Sequence, residues 1–303
     1  MLYHRVAEVH EESDDPFLLS VSPRRFEEHL EILRRTANIM PLGELLTAAR
    51  EGRLAPRSVA LSFDDGYADS LYAAKPLLEA YDAPATVFVV AGCLGGTFWW
   101  DELLDAIVRP PSLPDRLQLT IRDQDYEWRL GGSNRWRRDR LFRQLYRLLR
   151  ELDADERRAV LQRLASWCEG RPAAPNHRRP LTDEELVELA AGGLIEAGAH
   201  GMTHRPLSGL SETEQHHEIA HSKTALEEAL GMPVTSFSYP YGLEEDFTAK
   251  SVALVERSGF DRACTNVCDV VDHATDPYRL PRFWVRNWDG DRFQRLVSRW
   301  LGR

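Results

Sequence analysis

The stretch SVALSFDDGY, residues 58–67, decides the fold. Its β-forming run, Val59 to Phe63, ends abruptly in two carboxylates, Asp64 and Asp65, followed by a glycine. This pattern is typical of a buried strand of an α/β protein that ends at a catalytic site. The two acids alternate sides of an extended chain, so one can hold a metal while the other handles protons. A lone Asp-Asp-Gly is more often a plain turn, and the downstream motifs have to decide between the two.

The composition is ordinary for a soluble globular protein, with 43% hydrophobic and 28% charged residues among 303. The chain is long enough for one large α/β domain, with or without an insertion. Its net charge of −10 argues against a general nucleic-acid binder. No apolar run approaches the ~20 residues of a membrane span, and no leader pattern precedes the first strand. We therefore expect a cytoplasmic protein, with the inner membrane face as an alternative.

Strands and helices alternate along both ends of the chain, which predicts parallel pairs joined by crossover helices. The first pair is Val59–Phe63 and Ala85–Val90, with a helix over Ser70–Tyr81 between them. Farther on, a capping box at Thr182 opens a helix, and Ser211–Leu230 is predicted as one long helix. The predicted later strands are Leu194–Ala199, Val234–Tyr239, Phe260–Thr265 and Arg279–Val285. The four cysteines have no CxxC spacing and do not suggest a disulfide framework.

The middle of the chain departs from this rhythm, and we predict an insertion at 97–180 in a domain made of 1–96 and 181–303. A hairpin is expected first, followed by two helices over Asn134–Glu151 and Asp153–Glu169. Between Arg129 and Arg163 there are 11 arginines, no lysine and 5 acids. Two interpretations stay open: a solvated helix face, or a basic flap over the site that meets the phosphate of a lipid- or nucleotide-linked sugar.

A second motif, HGMTH at 200–204, directly follows a predicted strand. Two imidazoles four residues apart can converge on one ion, and a carboxylate from another strand end would complete a set of three. Two histidines and one carboxylate suit Zn²⁺ or a similar divalent ion that must also bind water and substrate. Alone, such a pair is often solvent-facing. Its place at a strand end, like that of Asp64 and Asp65, strengthens the prediction of a metal site.

Three motifs together resemble a known family, the polysaccharide deacetylases of the NodB-homology group (carbohydrate esterase family 4). They are SFDDG at 62–66, HGMTH at 200–204 and SYPYG at 238–242. The resemblance covers about 1–92 and 181–286. It implies a distorted (β/α)7 barrel of the NodB type carrying a mainly helical insertion. It also implies removal of N-acetyl, sometimes O-acetyl, groups from glycans with a divalent metal, Zn²⁺ first and Co²⁺ or Ni²⁺ as alternatives.

The same resemblance implies a role for each motif residue. Asp65, His200 and His204 would bind the metal. Asp64 would be the general base that takes a proton from the attacking water, and the backbone N–H of Tyr241 would stabilise the oxyanion. The choice of the first acid as base is the family's assignment, since spacing alone does not separate the pair.

Three positions depart from the family pattern. Gly201 stands where Ser or Thr is usual, and Ser238 stands where an Arg usually pairs with the base, a charge that Arg282 could supply. The usual C-terminal Leu-x-His, the general acid, is missing from 293–303. The sequence around His4 resembles the permuted branch that acts on poly-N-acetylglucosamine exopolysaccharide, which implies His4 as the acid. A purely structural histidine is the alternative.

Trp99 and Trp100 are candidates for a sugar-stacking wall, with core packing of the insertion as the alternative. We expect a deacetylase acting on an N-acetylated sugar, polysaccharide or glycan precursor, with no nucleic-acid partner and an open oligomeric state. The rival functions are a catalytically silent carbohydrate-binding homologue and a hydrolase of another small amide or O-acetyl ester.

Overall fold

The computed structural model of the chain describes residues 1–9, 15–131, 134–168 and 178–302. Its strands, numbered within those ranges, are β1 (Leu2–Tyr3), β2 (Arg5–Val6), β3 (Ser20–Val21), β4 (Asn38–Ile39), β5 (Ser58–Val59), β6 (Leu61–Phe63), β7 (Ala85–Val89), β8 (Arg116–Ile121), β9 (Gln124–Arg129), β10 (Ile195–Ala199), β11 (Ser236–Ser238) and β12 (Arg262–Cys264). Its α-helices are α1 (Pro23–Thr36), α2 (Leu42–Arg50), α3 (Lys75–Ala80), α4 (Trp99–Ile107), α5 (Arg135–Leu149), α6 (Ala154–Trp167), α7 (Asp183–Ala190), α8 (Glu212–His216), α9 (Ser222–Leu230), α10 (Ala249–Arg257) and α11 (Gly290–Trp300). π-helical turns at Ser70–Ala74 and His217–His221 precede α3 and α9.

A curled parallel sheet forms the centre of the described structure. Six strands pair in the order β1-β6-β7-β10-β11-β12, and every neighbouring pair is parallel. All five residues of β7 are buried, as expected for a strand covered on both faces. Helices α7 and α9 pack on β10 from the outside. The carboxyl ends of these strands therefore meet at one edge of the sheet.

The segment Arg279–Val285, predicted as the last strand, closes this sheet without forming a regular strand. Leu280 bridges β12, and Trp284 bridges β1, so the segment lies between the two edge strands. Pro281 has no N–H to donate, which explains why the ladder is interrupted there. With this closing segment, the predicted distorted (β/α) barrel is confirmed.

Helix starts follow local sequence chemistry. The Ser22 hydroxyl accepts from the Arg25 N–H with Pro23 at the first helical position of α1. Thr182 and Glu185 form the predicted capping box of α7. These signals need only neighbouring residues, so the sequence determines them.

The predicted helix Ser211–Leu230 is interrupted by the π-helical turn His217–His221 between α8 and α9. A π turn adds one residue to a helical turn and shifts the faces that follow it. Glu218 and Ile219 within this turn are buried, although the histidines on either side are exposed. A helical periodicity of 3.6 residues does not anticipate that change of face.

The insertion has a hydrophobic cluster distinct from the barrel core. Hairpin β8–β9 and the helices α5 and α6 occur where they were predicted, although the predicted end at Glu169 lies outside the described residues. Tyr67 and Val90, which belong to the barrel sequence, join this cluster. The domain division at 97–180 stays a prediction. In the described ranges, the helices are all too short or too polar to cross a membrane.

Candidate metal centre

Two strand ends bring a carboxylate and two imidazoles together. Asp65 follows β6, and His200 follows β10 at the same edge of the sheet. The Asp65 Oδ1 atom lies 3.7 Å from His200 Nε2 and 3.5 Å from His204 Nε2. All three side chains are buried, and one ligand atom from each lies within 4.8 Å of the others.

These separations fit one divalent ion. Ligand atoms bound tetrahedrally at 2.0–2.2 Å lie about 3.4 Å from one another. Two imidazole nitrogens and one carboxylate oxygen leave positions open for water and substrate, as catalytic sites require. The structure thus brings together Asp65, His200 and His204, the ligands implied by the motifs.

The protonation of these groups also suits a cation. The Nδ1 atom of His200 lies 2.7 Å from the Ser238 carbonyl, which can only accept, so the Nε2 lone pair is directed to the site. Burial lowers the pKa of His200, and burial lowers the pKa of His204 well below its usual value. Burial and the Asp64 carboxylate raise the pKa of Asp65 well above its usual range. A bound cation would relieve that unfavourable charge.

Asp64 is held in a two-point ion pair. Its Oδ1 and Oδ2 atoms accept from Arg282 Nη1 at 2.7 Å and Nη2 at 2.8 Å. The hydroxyls of Ser62 and Ser238 also accept from this guanidinium. Burial alone would raise the pKa of Asp64, but the Arg282 charge, with a contribution from His200, lowers it to about 2. The contact agrees with the expectation that Arg282 supplies the charge missing at Ser238, and its catalytic role stays a prediction.

His4 lies between β1 and β2, close enough to Asp64 and His200 for their charges to act on its pKa. It is 8% exposed, and its ring packs 5.5 Å from that of Trp284 between centroids. Within the described residues its Nδ1 atom has no hydrogen-bond partner. Burial lowers the pKa of His4 to about 4 despite the opposing effect of Asp64. His4 is therefore mostly neutral at neutral pH, and additional negative charge nearby would be needed to protonate it.

Three site residues adopt left-handed backbone conformations that are unusual outside glycine. The φ angles are +76° at Asp65, +57° at His204 and +63° at Tyr241. Such strain persists only where the surroundings over-determine it, and it concentrates at functional sites. Tyr241 packs its ring 4.6 Å from that of His204, and its N–H makes no hydrogen bond within the described residues.

Trp99 and Trp100 pack in the interior of the protein. They are 7% and 6% exposed, and the Trp100 Nε1–H donates to the Tyr67 hydroxyl at 2.7 Å. That hydroxyl donates in turn to Asp101, and the Trp100 ring lies 4.8 Å from the His204 ring. Neither ring offers an open face to a sugar in this structure, so the packing alternative is favoured.

The arginines of helices α5 and α6 fall into an exposed set and a more buried set, and the basic flap that meets a phosphate stays a prediction. Most of their arginines are solvent-exposed: Arg135, Arg137, Arg140, Arg143, Arg147, Arg158 and Arg163. Two others reach the site. The Arg150 guanidinium lies 4.1 Å from the centroid of the Tyr241 ring and pairs with Asp246. Arg157 is buried, and its Nη2 donates to the Thr203 carbonyl at 2.8 Å.

Sequence reasoning missed two residues that support the site. Asn266 accepts from Arg282 Nη2 at 2.7 Å, and it follows β12 much as Asp65 follows β6, so the rule of strand ends could have found it. Glu218 accepts three hydrogen bonds from residues 202 and 203. Its place in a predicted polar helix gave no signal of that contact.

Comparisons with known proteins agree with the motif pattern. A family model described as "Polysaccharide deacetylase" matches residues 51–110 and 138–262, more than half of the chain. "Putative polysaccharide deacetylase YxkH" of Bacillus subtilis (strain 168) is 20% identical over 269 residues, 88% of this chain and 66% of that protein. "Poly-beta-1,6-N-acetyl-D-glucosamine N-deacetylase" of Staphylococcus aureus (strain MSSA476) is 35% identical over 77 residues, 25% of this chain and 27% of that protein. The matches thus span under two thirds of each relative.

Solved structures show the same fold at low identity. The Streptococcus pyogenes deacetylase PplD, solved in complex with acetate, has a TM-score of 0.64 at 17% identity, covering 98% of this chain and 96% of its own. IcaB from Ammonifex degensii has a TM-score of 0.63 at 20% identity, covering 100% and 95%. At such identities the likeness concerns the fold alone.

Proposed function

Because the chain belongs to the polysaccharide deacetylase family, we propose that it is a metal-dependent hydrolase that removes N-acetyl groups from an N-acetylated sugar or polysaccharide. The observation that carries this proposal is the meeting of Asp65, His200 and His204 around one point, beside the ionised carboxylate of Asp64. A fold alone hosts many functions, whereas an open ligand set beside a carboxylate that can accept a proton suits metal-assisted hydrolysis.

Asp65, His200 and His204 would hold the divalent ion, for which we propose Zn²⁺, with Co²⁺ and Ni²⁺ as alternatives. When bound, such an ion supplies Lewis acidity at the acetyl carbonyl and makes water a stronger acid. The ligand chemistry fits a borderline ion, because nitrogen and carboxylate donors are both present.

Asp64 would accept the proton from the attacking water. Its pKa of about 2 makes it a weak base, so it can act only on water that the site has already made more acidic. Arg282 keeps this carboxylate ionised and fixes its orientation through two hydrogen bonds. The Tyr241 N–H would donate to the developing oxyanion, and His4 would deliver a proton to the amine, which leaves poorly without one.

For the substrate, we favour an N-acetylglucosamine polymer or its precursor. The S. aureus relative carries that substrate in its name. His4 lies close enough to Asp64 and His200 to serve as the general acid, which is the arrangement that the resemblance to the permuted branch implies. A catalytically silent homologue is disfavoured by the complete set of ligands, base and base-pairing arginine.

Acetate release from β-1,6-linked N-acetylglucosamine oligomers tests the proposal. We expect release by the Zn²⁺-loaded protein, loss on chelation and recovery on adding Zn²⁺. The variant Asp64→Asn should bind metal and lower turnover by about 10²- to 10⁴-fold, the usual contribution of a general base. A protein that binds Zn²⁺ yet releases no acetate from these oligomers, or from a panel of O-acetyl esters and small amides, would be the silent homologue.

A further inference from the structure

The two histidine ligands are held in different ways. The His200 imidazole is oriented by its own hydrogen bond to the Ser238 carbonyl. The Nδ1 atom of His204 is buried and makes no hydrogen bond within the described residues. Metal-binding histidines usually donate their second nitrogen to a neighbour that fixes the ring. The orientation of His204 must therefore come from its backbone and from the rings packed on it.

Glu218 fixes the backbone just before His204. Its Oε2 atom accepts from the N–H groups of Met202 and Thr203, both at 2.9 Å, and its Oε1 atom accepts from the Thr203 hydroxyl at 2.6 Å. The side chain is 3% exposed. Hydrogen bonds to an ionised acceptor are about twice as strong as neutral ones, so this carboxylate is well suited to hold a strained turn.

Arg157 contacts the same short segment through a backbone carbonyl, whereas Glu218 contacts its N–H groups. Its Nη2 donates to the Thr203 carbonyl at 2.8 Å, and its guanidinium lies 5.3 Å from the centroid of the Trp99 ring. This side chain is also 3% exposed. The anion of Glu218 thus holds the N–H groups of the segment, while the cation of Arg157 holds its carbonyl, which matches the direction of the peptide dipoles.

Gly201 leaves the space that Glu218 occupies. A Cβ at this position would lie 3.0 Å from Glu218 Oε2, and the φ angle of +78° disfavours any side chain. The π-helical turn His217–His221 turns Glu218 inward, as π turns often do at functional sites.

We propose that Glu218 and Arg157 are positioning residues that clamp Met202–Thr203 and so hold the His204 imidazole where it can bind the ion. The inference rests on the proposed function. Because Arg157 belongs to α6, the insertion takes part in building the metal centre, a role distinct from contacting substrate.

The test is a titration of the metal-free protein with Co²⁺, followed by its visible absorption. Glu218→Ala should weaken Co²⁺ binding by about 10- to 100-fold, the usual effect of losing an outer partner of a metal ligand. Glu218→Gln should restore most of the affinity, because its carboxamide oxygen can still accept from both N–H groups. Arg157→Met, which keeps much of the buried volume, should weaken binding about 10-fold by the same logic.

Gln215→Ala is the matched control. Gln215 is buried one turn before Glu218 and donates to the Leu210 carbonyl at 3.0 Å, away from the HGMTH segment. It should lower the melting temperature of the metal-free protein without changing its Co²⁺ affinity. If Glu218→Ala and Arg157→Met behave like this control, the two residues are merely structural and the inference is wrong.

The outcome also separates this inference from the proposed function. A wild-type protein that binds Co²⁺ but releases no acetate would contradict the proposed function, and the titration would still decide on the clamp. A wild-type protein that binds no Co²⁺ would overturn both.

Discussion

The ion pair of Asp64 and Arg282 shows how contacts between single residues determine chemistry at this site. The guanidinium donates from Nε to the Thr265 carbonyl at 2.9 Å, and its other nitrogens reach the carboxylate, two serine hydroxyls and Asn266. The folded-state pKa of Asp64 is depressed to about 2. Its stabilising contribution is therefore complete above the usual aspartate pKa and is lost as the pH falls towards 2.

Arg282→Lys should lower kcat/KM by at least about 10-fold, because an ammonium cannot make the two-point contact with the carboxylate. With a weaker partner, burial raises the pKa of Asp64, so the acidic limb of the pH–rate profile should move to higher pH. The measurement is kcat/KM for acetate release against pH. Arg279→Lys, at a half-exposed position three residues earlier, is the control and should leave the profile unchanged. An unshifted limb in Arg282→Lys would contradict this account.

His4→Ala should lose most turnover while keeping the metal, because an amine leaves slowly unless it is protonated. We expect a loss of about 10²- to 10⁴-fold in kcat, the range of a general acid. Turnover and bound Co²⁺ are measured on the same preparation, and His273→Ala, at an exposed position, serves as the control. Unimpaired turnover in His4→Ala would assign His4 to packing against Trp284.

Gly201→Ser introduces the hydroxyl side chain that the motif resemblance implies at this position, yet we expect it to be harmful here. The serine would adopt a φ of +78° and place its Cβ 3.0 Å from Glu218 Oε2. Gly192→Ser is a matched control, since it has a φ of +87° with no atom within 4 Å of the added Cβ. Both variants should lose about 1–3 kcal/mol of stability from backbone strain. Only Gly201→Ser should also weaken Co²⁺ binding, and equal Co²⁺ affinities would argue against the clamp.

At the scale of single elements, strand β10 packs closely against its neighbours β7 and β11 because it carries a glycine at the contact. Gly198 of β10 packs where an added Cβ would lie 2.5 Å from Phe88 Cδ1 and 3.0 Å from the Ser236 carbonyl. The Phe88 ring in turn lies 5.5 Å from the Arg282 guanidinium. We therefore expect a change in the packing of Phe88 to disturb the guanidinium that pairs with Asp64.

Gly198→Ala should destabilise the protein by about 1–3 kcal/mol, the usual effect of overpacking a core. It should also lower kcat, because displacement of Phe88 disturbs Arg282. Urea unfolding and acetate release are the measurements. Gly290→Ala at the start of α11 is the control, because its Cβ would approach no atom closer than 3.4 Å. Wild-type stability in Gly198→Ala would show that β10 and β7 have room to separate.

Elements differ in how far the sequence predicts them. The cap at Thr182 was predicted correctly because it depends on residues within one turn. The π-helical turn at His217–His221 was missed because its local sequence is compatible with an ordinary helix. The closing segment Arg279–Val285 was predicted as a regular strand. Instead, Leu280 bridges β12 and Trp284 bridges β1, and Pro281, which has no N–H, lies between these two contacts.

At the scale of the whole molecule, the candidate metal centre draws its side chains from both halves of the chain. Asp65 lies in the first, and His200 and His204 lie in the second, so an ion bound between them stabilises the folded state. The repulsion that raises the pKa of Asp65 would also be relieved. We therefore expect a bound metal ion to raise the melting temperature of the protein.

Saturating Zn²⁺, at 100 times its dissociation constant, should stabilise the folded protein by about 2.7 kcal/mol relative to the chelated protein. That corresponds to an increase in melting temperature of roughly 4 °C for a chain of this length, at an unfolding entropy of about 2.1 cal/mol/K per residue. Scanning calorimetry with Zn²⁺ and with chelator measures it. In Asp65→Asn, Zn²⁺ should no longer raise the melting temperature. An increase as large as that of the wild type would show that the ion binds elsewhere. The cytoplasmic location and the domain division at 97–180 stay predictions.

The sequence by itself determined the strand-end acids, the HxxxH pair and the family, because these depend on residue chemistry and on short spacings. Only the tertiary structure decided that Arg282 meets Asp64 across 218 positions, that Glu218 faces inward and that Trp99 and Trp100 are buried. The reason is physical: periodicity and motifs describe how a residue relates to its neighbours in the chain, whereas pairing, burial and pKa depend on which distant segments pack against it.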